Sequence, residues 1–289
     1  MTNKLKTKLD EFKNLNIDSP ERVRIKKMYE SIVKQTKEYI NKAGFKKALI
    51  GLSGGIDSSL VAKILVDALG SENILGVLMP GPFSSESSVN DSISLSQNLN
   101  IKTHTFSIDG VCSEFNQVLN LDTSSIAYQN IQSRCRMIYL MALSNNRDYF
   151  LVNTGNKSEC WCGYSTIYGD MAGMYAPIGD VYKTDVFKLC VYLNKQAEQN
   201  SQLLPIPENV INKKPSAELG ENQTDESSLG IDYASLDEIL SLYIDKNNTK
   251  QDIEKLGYKS QDLDNVFRLV KKSEFKRRYE PPCAKLSNL

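Results

Sequence analysis

The residues with the clearest capacity for chemistry lie in 47-KALIGLSGGIDSSLVAKILVDALG-70. Gly54 and Gly55 let the backbone approach a ligand closely, and Asp57 sets a carboxylate in the same loop. Lys47 to Leu52 is an apolar run of strand length. Leu60, Val61, Ile64, Leu65, Ala68 and Leu69 then recur as one helical stripe that ends at Gly70. A tight turn therefore falls at Ser53 to Ser58. The uncapped amides and positive dipole end of the following helix favour an anion, phosphate above all. The loop fits neither the GxxxxGK[ST] pattern nor GxGxxG. Asp57 would repel phosphate unless a divalent cation stood between them, so the pattern points to a polyphosphate held with magnesium. A Gly-Ser turn with a capping Asp would account for the glycine pair alone; the whole of SGGIDSS after a buried strand favours the ligand.

The elements around this loop repeat its strand-to-helix plan. Residues 20–40 place Ile25, Met28, Ile32, Thr36 and Tyr39 at three- and four-residue spacings behind Pro20, which predicts an amphipathic helix. A second strand is expected over 72–80, a loop into a helix over 81–100, and a third strand over 101–108. The helix from Tyr128 carries Arg134 and Arg136, which point to different faces, so at most one of them enters a site. The stretch 149-YFLVNTGNKSE-159 reads as a fourth strand running into a polar turn. Alternating strands and helices imply an α/β fold with a doubly wound parallel sheet and ligands at the carboxyl ends of its strands. Loops 53–58 and 153–159 would then face one another. Residues 163–193 form a glycine-rich loop and a helix with Val186, Phe187, Cys190, Val191 and Leu193 as apolar positions. Residues 201–230 are polar and aperiodic, which suggests a functional lid. Helices near 235–246, 249–256 and 260–275 lead to the basic stretch 276-KRRYEPP-282. The expected organisation is one domain: helical 1–45, nucleotide-binding core 46–200, lid 201–230 and helical 231–289.

Composition narrows the class. A chain of 289 residues can bury a sizeable core. Lys plus Arg and Asp plus Glu each number 35, so overall charge gives no support to nucleic-acid or membrane binding. No apolar run approaches the roughly 20 residues that span a bilayer. The charged start MTNKLKTKLDEFKNLN lacks a secretory core, and a cytoplasmic location is expected. Six scattered cysteines read as reduced thiols, and Cys160-Trp-Cys162 is too closely spaced for a CxxC pair. The single histidine, His104, sits in a strand-like stretch and reads as structural, which sets aside His-based catalysis.

SGGIDS at 53–58 resembles the SGGxDS loop of the N-type ATP pyrophosphatases, which cleave ATP between its α- and β-phosphates and adenylate a substrate oxygen. Further segments are similar to NAD synthetases in particular. QNIQSRCRM at 129–137 resembles their arginine helix and NTGNKSE at 153–159 their GTxNKSE turn. YGD followed by PIGDVYKTDV resembles their glycine loop and next helix, and KKPSAEL with QTDESSLG at 213–230 their lid. The likeness spans most of the chain from about residue 47 to 278 and implies a Rossmann-like sheet of the adenine nucleotide alpha-hydrolase type, with extra terminal helices. It also implies a reaction: ATP adenylates the nicotinate carboxylate of deamido-NAD, releasing pyrophosphate, and ammonia displaces AMP to give NAD.

Carried over by position, Gly51, Leu52, Ser53, Gly54, Gly55, Ile56, Asp57 and Ser58 would hold the phosphates of ATP, and Asp57 and Glu159 would bind magnesium. Thr154, Lys183 and Ser216 would contact ATP, and Asp57 and Lys183 would be the catalytic pair. Arg134, rather than Arg136, and Lys276 would contact deamido-NAD. Ile167, Met174 and Phe275 depart from the lysine, aspartate and histidine of many bacterial members, so the resemblance supplies no substrate contact there. The remaining readings are an ATP pyrophosphatase that amidates a different carboxylate, and a nucleotide-binding regulator without turnover. The synthetase motifs leave no room for a glutaminase domain, so ammonia or an external donor is the expected nitrogen source. The family is homodimeric, and the helix faces around 128–144 and 184–193 are the expected contacts.

Overall fold

Strand β1 (Ala48–Leu52) divides its side chains between two cores. Ala48, Ile50 and Leu52 join one apolar cluster and Leu49 another, as expected where successive strand residues point to opposite faces. Burial on both faces explains why the sequence shows a continuous apolar run instead of an alternation. The computed structural model describes residues 2–286. In chain order it holds α1 (Asn3–Asn14), α2 (Pro20–Lys42), β1, α3 (Ile56–Leu69), β2 (Ile74–Leu78), α4 (Glu86–Asn98), β3 (Lys102–Thr105), α5 (Asp109–Leu119), α6 (Ile126–Arg147) and β4 (Phe150–Leu151). The carboxyl half adds α7 (Lys157–Cys162), α8 (Lys183–Gln199), α9 (Glu208–Asn212), α10 (Asp225–Leu229), α11 (Tyr233–Leu240), α12 (Lys250–Lys255) and α13 (Ser260–Lys272).

The strands are parallel, in the order β3-β2-β1-β4. Residues of α1, α2, α3 and α8 fill the cluster on one face, and residues of α5 and α6 fill the other. This is the doubly wound sheet read from the sequence. From β1 the chain proceeds to β2 and β3, then returns at β4 on the other side of β1. The connections diverge between β1 and β4, and a crevice opens at their carboxyl ends. A third cluster joins α7, α10, α11, α12 and α13 into a helical lobe beside it.

Local signals account for most boundaries. Ser19 caps α2 by accepting from the Arg22 amide, with Pro20 in the first turn. Helix α3 ends at Gly70, whose φ of 89° suits a residue without Cβ. Helix α5 escapes the sequence reading because it buries Cys112 while Phe115, Val118 and Leu119 stay exposed. The fourth strand is shorter than expected: Val152 makes only an isolated bridge to Tyr175 as the chain turns towards the crevice.

Two expectations are corrected. Segment 201–230 is not structureless: it contains α9 and α10, and Ile206, Val210 and Ile211 are buried in the main core. Helices of five residues are too short for an apolar period to register. Helix α8 offers no free apolar face, because Val186, Phe187, Leu189, Cys190, Val191 and Leu193 are all consumed by this chain's own core. Helix α6 does leave Ile138 and Met141 exposed. Among the described residues no helix is long and apolar enough to cross a membrane.

The assignment of α8 to the core has a measurable consequence. Leu189→Ala is expected to lower the unfolding free energy by about 2–5 kcal/mol in urea titrations, with the oligomeric state unchanged. A cost below about 1 kcal/mol would contradict that assignment.

Candidate active site

The turn between β1 and α3 is held open by its own hydroxyls. Ser53 Oγ lies 3.1 Å from Ser58 Oγ and accepts from the Gly55 amide at 3.2 Å, while Ser59 Oγ donates to the Gly55 carbonyl at 2.8 Å. No side chain caps α3, so its first amides remain available at the crevice. Gly54 is required by space as well as by its φ of 72°: a Cβ there would lie 2.1 Å from the Ser88 carbonyl oxygen. The loop is therefore pressed against the start of α4. A cavity of about 340 Å³ opens in front of it, with Gly51, Ser53, Gly55, Thr154, Lys213 and Ser216 among the residues on its wall.

Lys183, at the start of α8, is the charge centre of this cavity. Its side chain is 2% exposed, and Nζ lies 2.5 Å from Asp57, 3.2 Å from Glu159 and 4.0 Å from Asp225. It also lies 5.1 Å from the centre of the Tyr233 ring. Burial works against the ammonium, and the carboxylates Asp57, Glu159 and Asp225 outweigh it, holding the lysine above its ordinary range. Glu159 is pushed up to about 8 by burial, with Lys183 opposing and Asp57 adding to the rise. Asp225 is raised by burial too, although Lys183 and a 3.0 Å bond from the Tyr233 hydroxyl favour its charge.

Short-range contacts fix these side chains. Asn156 caps α7 in a reciprocal box with Glu159 and donates to Asp57 Oδ1 at 2.8 Å, so one residue aligns both carboxylates. That contact joins loops 53–58 and 153–159, as the sequence reading expected. The Lys183 amide donates to Ser158 Oγ at 2.9 Å, and Ser158 Oγ donates to Asp237 Oδ1 at 2.5 Å. Asp237 Oδ2 accepts from the Thr184 amide at 2.8 Å, which ties α7, α8 and α11 behind the site. Burial pushes Asp237 up to about 6.

The segment leading to α10 closes over the front. Glu218 accepts from the Ser85 amide at 3.1 Å, Ser85 Oγ at 2.8 Å and Ser88 Oγ at 2.7 Å, all at the start of α4. Lys213 reaches Asp91 at 2.8 Å, and Ser216 Oγ donates to the Gln223 carbonyl at 2.6 Å.

Of the residues singled out in the sequence, Gly51, Leu52, Ser53, Gly55, Ile56, Asp57, Ser58, Thr154, Glu159, Lys183 and Ser216 all line this cavity. Gly54, in the same loop, is pressed instead against Ser88 at the start of α4. Arg134 is exposed, and its Nε donates to the Ile167 carbonyl at 3.2 Å; Lys276 donates to the carbonyls of Gly163 at 2.7 Å and Ser165 at 2.5 Å. Both brace the 163–167 turn outside the cavity wall, and Met174 and Phe275 are exposed. His104 stands on β3, stacked on Phe106 and 3.0 Å from Arg147, away from the cavity. All six cysteines are unpaired thiols. The sequence reading passed over Asn156, Arg136 and Asp225. Asn156 was visible as a cap three residues before Glu159.

Three carboxylates thus face one ammonium, and Asp225 Oδ1 is buried without a hydrogen-bond partner. Among the described residues no three His, Cys, Asp or Glu side chains form a ready metal cage. Asp57 and Glu159 instead offer two hard oxygen donors beside the glycine turn, a set that suits a hydrated divalent cation with its remaining positions filled by water or anion oxygens.

The sheet order, with the glycine turn and the acid pair at one crevice, defines an α/β protein of the doubly wound class. The NAD synthase family profile matches residues 28–280, and the chain belongs to that family. It is 43% identical over 265 residues to the glutamine-dependent NAD(+) synthetase of Synechocystis, an alignment that covers 90% of this chain and 46% of that one. The chain spans about half the length of the curated relatives it matches. In structure it is similar to the NMN synthetase of Francisella tularensis, with TM-score 0.74 and 26% identity over 88% of this chain and 95% of that one. It is also similar to the NH3-dependent NAD synthetase of Campylobacter jejuni, with TM-score 0.70 and 27% identity over 87% and 95%.

Two substitutions probe the site. Asp57→Asn keeps an acceptor for Asn156 and leaves Lys183 with two carboxylates, so a cooperative thermal transition should persist while ATP-dependent turnover falls at least about a hundredfold. Asp237 titrates at about 6 when folded and near the ordinary 3.8 when unfolded. Between those values the folded form alone keeps the proton, so its contribution to stability falls as pH rises from about 4 to about 6. Urea midpoints of wild type and Asp237→Asn across that window should therefore differ in slope, with the variant flatter.

Proposed function

We propose that the protein amidates deamido-NAD to NAD with ATP and ammonia, through an adenylated nicotinate carboxylate. The observation that carries this reading is the convergence of Asp57, Glu159 and Lys183 at the mouth of the β1–α3 turn. The loop from Gly51 to Ser58 would hold the β- and γ-phosphates, and Thr154 and Ser216 would contact the nucleotide. Asp57 and Glu159 would hold magnesium, which supplies neutralisation of phosphate charge. Lys183 would place a point charge on the phosphates once the nucleotide draws the carboxylates toward the cation. A substrate carboxylate oxygen attacks the α-phosphorus and the bond to the β-phosphate bridging oxygen breaks, releasing pyrophosphate. Ammonia then adds to the acyl carbon, loses a proton and expels AMP.

Arg134 and Lys276 would contact the dinucleotide at the outer rim, where the exposed Ile138 and Met141 of α6 offer a surface for a second copy. Ammonia is taken as the nucleophile at this site; the relatives named glutamine-dependent are about twice as long as the matched region. A second reading is amidation of the mononucleotide. It is favoured by Ile167, Met174 and Phe275 at the rim, where many family members carry polar substrate contacts, and by the likeness to an NMN synthetase.

Purified protein with ATP, magnesium and ammonium should convert deamido-NAD to NAD with equal amounts of AMP and pyrophosphate. Glutamine in place of ammonium should give no NAD. A higher kcat/KM for nicotinate mononucleotide would select the second reading, and absence of AMP with either substrate would refute both.

A further inference from the structure

Among the described residues, Arg136 is the one partly buried cation on the cavity wall without an ion pair. Four cationic side chains line it: Arg136, Lys183, Lys213 and Lys214. Lys183 is enclosed by carboxylates, Lys213 is paired with Asp91, and Lys214 is exposed to water. Arg136, on α6, is partly buried, and among the described residues it makes no ion pair within 4 Å. Its one hydrogen bond runs from Nε to the Met79 carbonyl at 3.0 Å, which anchors the guanidinium at the carboxyl end of β2. Among the described residues the two terminal nitrogens have no protein acceptor.

The neighbouring acids are already engaged. Glu218 is held by Ser85 and Ser88, and Asp170 accepts from the Thr166 amide. The backbone also makes room for the planar group: a Cβ at Gly81 would lie 2.8 Å from Arg136 Nη2. Burial without a counter-ion depresses the guanidinium, in contrast to Lys183. A guanidinium withdrawn from water, anchored at one nitrogen and free at the other two, is arranged to receive two oxygens of an anion. Leu78, Met79, Pro80 and Ser84, at and beyond the carboxyl end of β2, line the same cavity.

We propose that Arg136, and not only the rim residue Arg134, is an oxyanion-binding residue of the adenylation site, receiving either the α-phosphate of ATP or the carboxylate that attacks it. The assignment rests on the reading above for the identity of the anion, while the geometry requires only that an anion enter the cavity at Arg136. Two oxygens on the fork would place the α-phosphorus and the acceptor oxygen between Arg136 and the glycine turn.

Calorimetric titration of Arg136→Ala, Arg136→Gln and Arg136→Lys against AMP, pyrophosphate, deamido-NAD and NAD tests this, each variant being checked for a cooperative thermal transition. Loss of AMP affinity on the order of 10- to 100-fold with pyrophosphate binding unchanged assigns the α-phosphate. A comparable loss for deamido-NAD but not for NAD, which differ by carboxylate against carboxamide, assigns the acceptor carboxylate. Arg136→Lys should recover the charge but only part of the affinity, and it serves as the folded variant should the neutral ones not fold. Changes under twofold for both AMP and deamido-NAD, or an equal loss for pyrophosphate, would overturn the proposal. The AMP and pyrophosphate titrations need no turnover, so they stand even where wild-type protein makes no NAD, the outcome that would instead defeat the proposed function.

Discussion

One buried ammonium sets the terms for the rest of the molecule. Lys183 is withdrawn from water at the start of α8, and an unpaired charge there would be prohibitive. The three carboxylates that answer it come from α3, α7 and α10, elements far apart in the chain. Each must reach its final place before the lysine can be accommodated, so the site and the packing of the two lobes form together. A buried ion pair of this kind is weak evidence for stability, since apolar residues of similar size can do as well. In the proposed site the pair would serve instead as a prepared charge set: a positive point charge and two oxygen donors that hold one another in place.

The doubly wound sheet supplies the place for that redistribution. Because β1 is flanked on one side by β2 and on the other by β4, its carboxyl end borders the switch point where the connections diverge. The glycine turn extends from it, and Asn156 bridges the gap from the β4 side to Asp57. Helix α4 then couples the turn to its cover. Its Ser88 presses its carbonyl against Gly54 and gives its hydroxyl to Glu218. Glu218 adopts a φ of 48°, a conformation costing a side-chain-bearing residue about 1–2 kcal/mol. Three hydrogen bonds to the start of α4 offset that cost, so the strained geometry depends on the cover being closed.

Much of this was legible in the sequence where a local constraint leaves a local signature. The strand, glycine turn and helix around Asp57 declare themselves because each needs particular residue types at adjacent positions. Glu159 and Lys183 could be named from short motifs without knowing that they meet. What the sequence reading missed depends on facing. Arg134 and Arg136 are equivalent by composition; only the packing of Cys135, Met137 and Leu140 against β1 and β2 decides that Arg136 turns toward the cavity. Helix α8 showed an apolar stripe, yet it is buried nearly all round, which periodicity alone does not distinguish from a half-covered helix. Asp225 looked like one acid in a polar segment, since nothing local indicates that Tyr233 and Lys183 surround it.

The closed cover bears directly on the chemistry proposed for the site. Water at its bulk concentration competes with ammonia for an adenylated carboxylate, so enclosing the proposed intermediate favours amide over hydrolysis. Here the enclosure is made by Glu218 and Lys213 gripping α4, and by the Leu219 carbonyl accepting from Gln132 on α6 at 2.9 Å. None of these bonds involves Asp57, Glu159 or Lys183. This grip on α4 and α6 is separate from Asp57 and Glu159, whereas Asp225, on α10 at the end of the same segment, ties the cover to Lys183 at 4.0 Å. In the proposed reaction, closing the cover would bring Asp225 to Lys183 and so complete the charge centre in the same movement that shelters the reactive mixed anhydride.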